Sequence, residues 1–154
     1  MIKTIEALLK EHPFFKGIKP PFLKLIAGCA VNVRFGKGKY LFHEGTKAKR
    51  FYIIRSGTVA LEICGHGKMC ITVQHLGEGE VLGWSWLFPP YRWTATARVI
   101  MPASAIALDG ECLRKKCEKN HDLGYELMKR FVQIVNQRLA HSRMQLIDMY
   151  GTGH

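Results

Sequence analysis

No apolar run in this sequence reaches the roughly eighteen residues that a membrane-crossing helix needs, so none is expected. The opening stretch, MIKTIEALLK, carries charges where a secretory leader stays apolar, and the chain is therefore expected to be soluble and cytoplasmic. There is no H-x-H pair of the kind that begins a cupin metal site, no CxxC, no Walker loop and no G-x-S-x-G elbow. Nothing supports nucleophilic catalysis, so neither a catalytic residue nor a bound metal is expected. Internal repeats and low-complexity segments are also absent. Acids are scarce: 12 Asp and Glu against 23 Lys and Arg leave a net charge of +11. Such a surplus attracts nucleic acid, acidic lipid or a small anion without choosing among them. The cations, among them Lys37, Lys49, Arg114, Lys119, Arg130 and Arg143, are spread through the chain, as a solvated basic surface would have them rather than a dedicated polyanion groove.

Cysteine numbers only 5, an odd count without a leader, which reads as reduced thiols; disulfide scaffolding is not expected. Cys64 and Cys70 flank a G-H-G-K turn with His66 at its tip, a placement that suits buried structural cysteines, a thiol pair or an incomplete soft-metal site. Cys112 and Cys117 are five apart on a predicted helix and cannot share one face. His43-Glu44 reads as a surface loop pair.

What the chain does contain suits one compact domain: 154 residues, 47% hydrophobic and 23% charged. Residues 1–30 read as short helices, with Ile2, Ile5, Leu8 and Leu9, then Phe22, Leu25, Ile26 and Cys29, at helical spacing and prolines between. Residues 31–109 change period. Phe51–Arg55, Thr58–Ile63 and Cys70–Gln74 are short and β-branched, with turn glycines at 36–39, 56–57, 65–68 and 77–80. A further strand pair, Thr94–Ile100 and Ala103–Leu108, joins around Met101-Pro102. This spacing predicts an antiparallel sandwich or roll. Residues 110–149 turn helical again, with Asp109 as N-cap of a short helix and His121–Met149 as a long one.

The long helix carries two stripes. Leu123, Leu127, Phe131 and Ile134 lie near its start, available to pack on the strands. Met128, Val132, Val135, Leu139, Ser142, Leu146 and Met149 alternate in steps of four and three, the seam of a short coiled coil, so a homodimer through this helix is expected.

The order HPFF at 12–15, FGKGKYLFHEGTKAKRFYIIRSGTVAL at 35–61, GEVLG at 79–83 and ATARV at 95–99 resembles the cyclic nucleotide-binding domain of the catabolite activator and fumarate-nitrate regulator superfamily. The resemblance runs from about residue 5 to residue 149. It implies an antiparallel β-roll of double-stranded jelly-roll type, with short N-terminal helices, a phosphate-cassette-like segment at 79–98 and a long C-terminal helix. In that family an acid follows the last glycine of G-E-x-x-G and accepts from a ribose hydroxyl, while the arginine of an R-[ST]-A run pairs with the cyclic phosphate.

Two of those places are altered here. After Gly83 stands Trp84 rather than an acid, and Trp93 stands at the arginine, followed by the matching Thr94 and Ala95. Arg92 is one residue early; a slip of one would turn it to the pocket, and a strict strand would turn it away. Trp84, Trp86, Tyr91 and Trp93 either fill a core or line a site that stacks a planar ring. The resemblance thus implies a non-enzymatic sensor or regulatory domain, its ligand a cyclic nucleotide or another planar or anionic small molecule. Expected ligand contacts are Gly83, Trp84, Ser85, Arg92, Trp93, Thr94 and Ala95. The alternative is a degenerate domain serving only protein association with an unidentified partner. Because the chain stops directly after the long helix, no helix-turn-helix and no sequence-specific DNA reading by this chain are expected.

Overall fold

The computed structural model describes residues 3–65 and 69–152; Ile2 of the first predicted stripe and His66 of the predicted hairpin tip lie outside them. Helices α1 (Ile5–Glu11) and α2 (Pro20–Ala27) flank a 3-10 turn at Pro13–Phe15. Thr4 caps α1 by accepting the Ala7 N–H, and Pro20-Pro21 open α2, where a missing N–H leaves no bond unmade. Six strands follow: β1 (Ala30–Phe35), β2 (Tyr40–Phe42), β3 (Arg50–Cys64), β4 (Cys70–Leu76), β5 (Val81–Leu82) and β6 (Thr96–Asp109). All pair antiparallel in one rolled sheet of order β1-β6-β3-β4, with β2 on β6 and β5 on β3. Helix α3 (Gly110–Lys119) starts at Asp109, whose carboxylate accepts the Cys112 N–H at 3.0 Å. Helix α4 (His121–Thr152) completes the fold.

Successive side chains of a strand point to opposite faces, and β3 uses both. Phe51 and Ile53 face a core shared with Leu9, Phe15, Ile26, Trp86, Leu113 and Phe131, while Tyr52 and Ile54 face the roll interior beside Leu76, Leu82, Trp93 and Val99. β6 divides alike, with Ile106 and Leu108 toward the helices and Ala105 and Ala107 inside. The stripe predicted to pack on the strands does so: Leu123, Leu127 and Phe131 are buried and Ile134 half-buried. Cations of α3 and α4 then fasten the helices to backbone carbonyls. Arg114 donates to Trp86 O at 2.5 Å, Lys116 to Leu25 O at 2.6 Å and Arg130 to Phe14 O at 2.6 Å. His12 is buried beneath them. Its Nδ1 accepts the Phe14 N–H, so the ring proton sits on Nε2, which donates to Ile54 O at 3.0 Å.

Two expectations are corrected. The strands placed on either side of Ser56-Gly57, and those placed on either side of Met101-Pro102, are single continuous strands, because the two turn signals lie opposite one another and bend together. The register shifts there, and Gly57, at φ +88°, passes so close to β6 that an added Cβ would sit 2.3 Å from the Pro102 carbonyl oxygen. The reduced-thiol expectation also fails. Cys29 is bonded to Cys112 and Cys64 to Cys70. β1 pairs Ala30 with Leu108, which carries Cys29 to within 5.8 Å (Cα–Cα) of Cys112 on α3, and the hairpin register sets Cys64 opposite Cys70. Cys117 stays free.

Gly57→Ala should cost about 1–3 kcal/mol through strain in the left-handed region alone, read as a lower urea midpoint; an unchanged midpoint would refute the shared bend. His12 should make stability pH-dependent. Burial lowers its pKa below 6.5, against a smaller upward pull from the Ile54 bond, so the unfolded chain binds the extra proton first. Its contribution is then complete above pH 6.5 and declines as pH falls from there through the lower folded value. His12→Gln, which keeps the donor to Ile54, should flatten the change in urea midpoint between pH 7.5 and pH 5.

Candidate functional site

The inner face of β6 carries Ala97, Ala103, Ala105 and Ala107, small side chains that leave room inside the roll. Trp93 takes part of it. Its ring stacks on Phe42 with centroids 3.7 Å apart and planes 10° apart, and it is buried. Gly83, at φ +94°, lets that ring approach closely, since a Cβ there would lie 2.4 Å from the indole edge. What remains is a cavity of about 310 Å³ between the roll and α4.

Of the predicted contacts, Gly83, Trp84, Ser85, Trp93, Thr94 and Ala95 meet at this cavity. Arg92 does not join them: it is exposed, pairs with Lys47 in an isolated bridge and donates from Nη1 to Gly45 O at 2.9 Å. Trp93 turns inward onto Phe42, while Arg92, in its bridge to Lys47, turns outward to the Gly45 carbonyl. The cavity's cation comes instead from α4. Arg138 stands over the Trp84 ring at 4.8 Å and donates to the Val81 carbonyl. Burial pulls its pKa down to about 10, with the charge of Glu80 acting the other way, so at neutral pH it remains a guanidinium.

Sequence reasoning missed Arg138 because the position carries no motif. The signal available was its place among Val135, Leu139 and Ser142, which line the same cavity from one face of α4. Those three belong to the predicted seam, all seven members of which are exposed in this single chain. The aromatic cluster thus splits. Trp86 is wholly buried against Phe51, at 5.0 Å, and Phe131; Trp93 fills the roll; Trp84 and Tyr91 lie half-exposed under Arg138 and Arg114 respectively.

Other candidates stay apart. His43 stacks on Tyr40, and Glu44 accepts the Cys64 N–H. Among the described residues no three His, Cys, Asp or Glu side chains are grouped to hold a metal, and no helix is long and apolar enough to cross a membrane.

Residues 32–120, more than half the chain, match the family model of the cyclic nucleotide-binding domain. Among curated proteins, the CRP-like cAMP-activated global transcriptional regulator of Mycobacterium tuberculosis is 23% identical over 148 residues, covering 96% of this chain and 64% of the regulator. The chain therefore spans just under two thirds of that relative's length. Among solved structures, a protein of the cyclic nucleotide-binding kind from Geobacter metallireducens GS-15 superposes with a TM-score of 0.78 at 30% identity, over 90% of this chain and 99% of the other. The catabolite activator protein of Thermus thermophilus shares the fold, with a TM-score of 0.70 at 22% identity over 90% of this chain and 63% of its own.

Trp93→Ala should remove a stacked core ring and cost about 3–5 kcal/mol in chemical denaturation, whereas Trp93→Phe, which keeps a ring on Phe42, should cost far less. Equal, small losses for both would show that the tryptophan does not pack the roll.

Proposed function

We propose that this chain, which belongs to the cyclic nucleotide-binding domain family, is a non-catalytic ligand-sensing regulatory domain whose pocket does not take cyclic AMP by the usual contacts. The observation that carries this reading is the Trp93–Phe42 stack. Trp93, which by motif order stands where the family's phosphate-pairing arginine is expected, lies against Gly83, and among the described residues no carboxylate lines the cavity to receive a ribose hydroxyl. A cavity nevertheless persists, at the lower end of the volume range of small-molecule sites. The curated relative is, by its name, a cAMP-activated transcriptional regulator. That supports a regulatory and non-enzymatic role here without carrying over its ligand.

The second element of the proposal is a homodimer through α4. Met128, Val132, Leu146 and Met149 are 47–70% exposed, and a second copy of the helix would cover them. Val135, Leu139 and Ser142 belong both to this seam and to the cavity wall. An occupant touching them would favour whichever helix arrangement it fits best, which is the coupling a sensor needs.

Calorimetric titration with cyclic AMP, cyclic GMP and cyclic dinucleotides tests the pocket. Wild type should show no tight cyclic AMP binding, and Trp84→Glu combined with Trp93→Arg should gain it. Tight capture by wild type would overturn the altered-pocket reading. Sedimentation equilibrium tests the dimer: Val132→Glu with Leu146→Glu should convert a dimer to a monomer. A wild type that is monomeric at every concentration would remove the seam.

A further inference from the structure

The chemistry of the cavity narrows what it accepts, an inference that rests on the ligand-sensing reading above. Among the described lining residues Arg138 is the one charged side chain. A guanidinium has five N–H donors, and one of them is given to the Val81 carbonyl. Arg138 takes part in none of the ion pairs among the described residues. A half-buried cation is thus held beside Trp84, with Glu80 as a charged neighbour but not at ion-pair distance, and the donors not given to Val81 can form the fork that oxyanions accept.

The opposite wall brings no cation among its described residues. There the Trp93 ring lies on Phe42 and against Gly83, so indole stands beside the turn that would cradle a phosphate. Between the two walls the lining is chiefly apolar, with Leu61, Ile63, Val73 and Leu139. A sugar would bring hydroxyls to these surfaces and find Gln74, Ser85, Thr94 and Ser142 but no carboxylate. A flat hydrocarbon ring loses nothing there.

We propose that the pocket binds a small, sugar-free, planar organic monoanion, an aromatic carboxylate, with its oxyanion on Arg138 at the α4 wall and its ring against the tryptophans. The charge is then held from the opposite side to the family's arrangement, and by the helix that carries the predicted seam. Capture of the anion would place load directly on α4.

Calorimetry on the full chain with 2-naphthoate, its neutral isostere 2-naphthamide and cyclic AMP tests this. Naphthoate should bind at least about tenfold more tightly than naphthamide, as expected of a charge-assisted bond. Arg138→Gln should abolish that preference by weakening naphthoate far more than naphthamide, and Arg138→Lys should keep part of it. Circular dichroism verifies that both variants are folded. Equal binding of naphthoate and naphthamide, or a preference that survives Arg138→Gln, overturns the anion site. Tight cyclic AMP binding without naphthoate binding overturns it together with the altered-pocket reading, and leaves only the ligand-sensing role standing. Silence from all three, and from the cyclic nucleotide series above, removes both.

Discussion

β3 and β6 form the longest ladder in the molecule, and both strands bury side chains on both faces. On one face Phe51, Ile53, Ile106 and Leu108 gather the N-terminal helices, α3 and the start of α4; on the other, Tyr52, Ile54, Ala105 and Ala107 line the roll. Each core therefore depends on the same hydrogen-bonded pair. Shifting the register by one residue would exchange the two sets and present alanines to the helices and leucine to the interior. The positions of α4 and of the cavity follow from this constraint, since Phe131 fixes the helix on one face while the alanines leave space on the other.

Aromatic packing and charge are divided between the two walls of the cavity. Trp93 stacked on Phe42 gives the strand side an apolar wall, and Arg138 brings a cation from the helix side. A second guanidinium beside Gly83 would repel it across a cavity of this size, a repulsion that indole does not exert. The indole of Trp84 helps to hold that charge through its ring face, a role that an acid at the same place would take over by direct pairing.

Much of this was legible in the residues. The roll, the Asp109 cap, the α4 stripe at Leu123, Leu127 and Phe131, and the meeting of Gly83, Trp84, Ser85, Trp93, Thr94 and Ala95 follow from local periodicity and from motif order. What was not legible depends on pairing between distant segments. Ser56-Gly57 and Met101-Pro102 each signal a turn in isolation, and only their juxtaposition turns two breaks into one bend. The cysteine bonds depend on the β1–β6 and β3–β4 registers, which no count of thiols contains. Arg138 is part of the site because α4 runs beside the cavity, and Arg92 is outside it because the bridge to Lys47 turns its guanidinium to the Gly45 carbonyl.

The bond from Cys29 to Cys112 spans 83 residues and encloses every strand of the roll. Even when denatured, the chain is then topologically a ring with two tails, α1–α2 at one end and α4 at the other. Closing a ring of that length removes conformational freedom worth about 4.5 kcal/mol on a chain-entropy model, roughly twice the value for the short Cys64–Cys70 loop. Thermodynamically, the roll is a tethered circle whose ordering starts from a reduced ensemble, whereas the distal part of α4 lies outside the ring and gains no such head start.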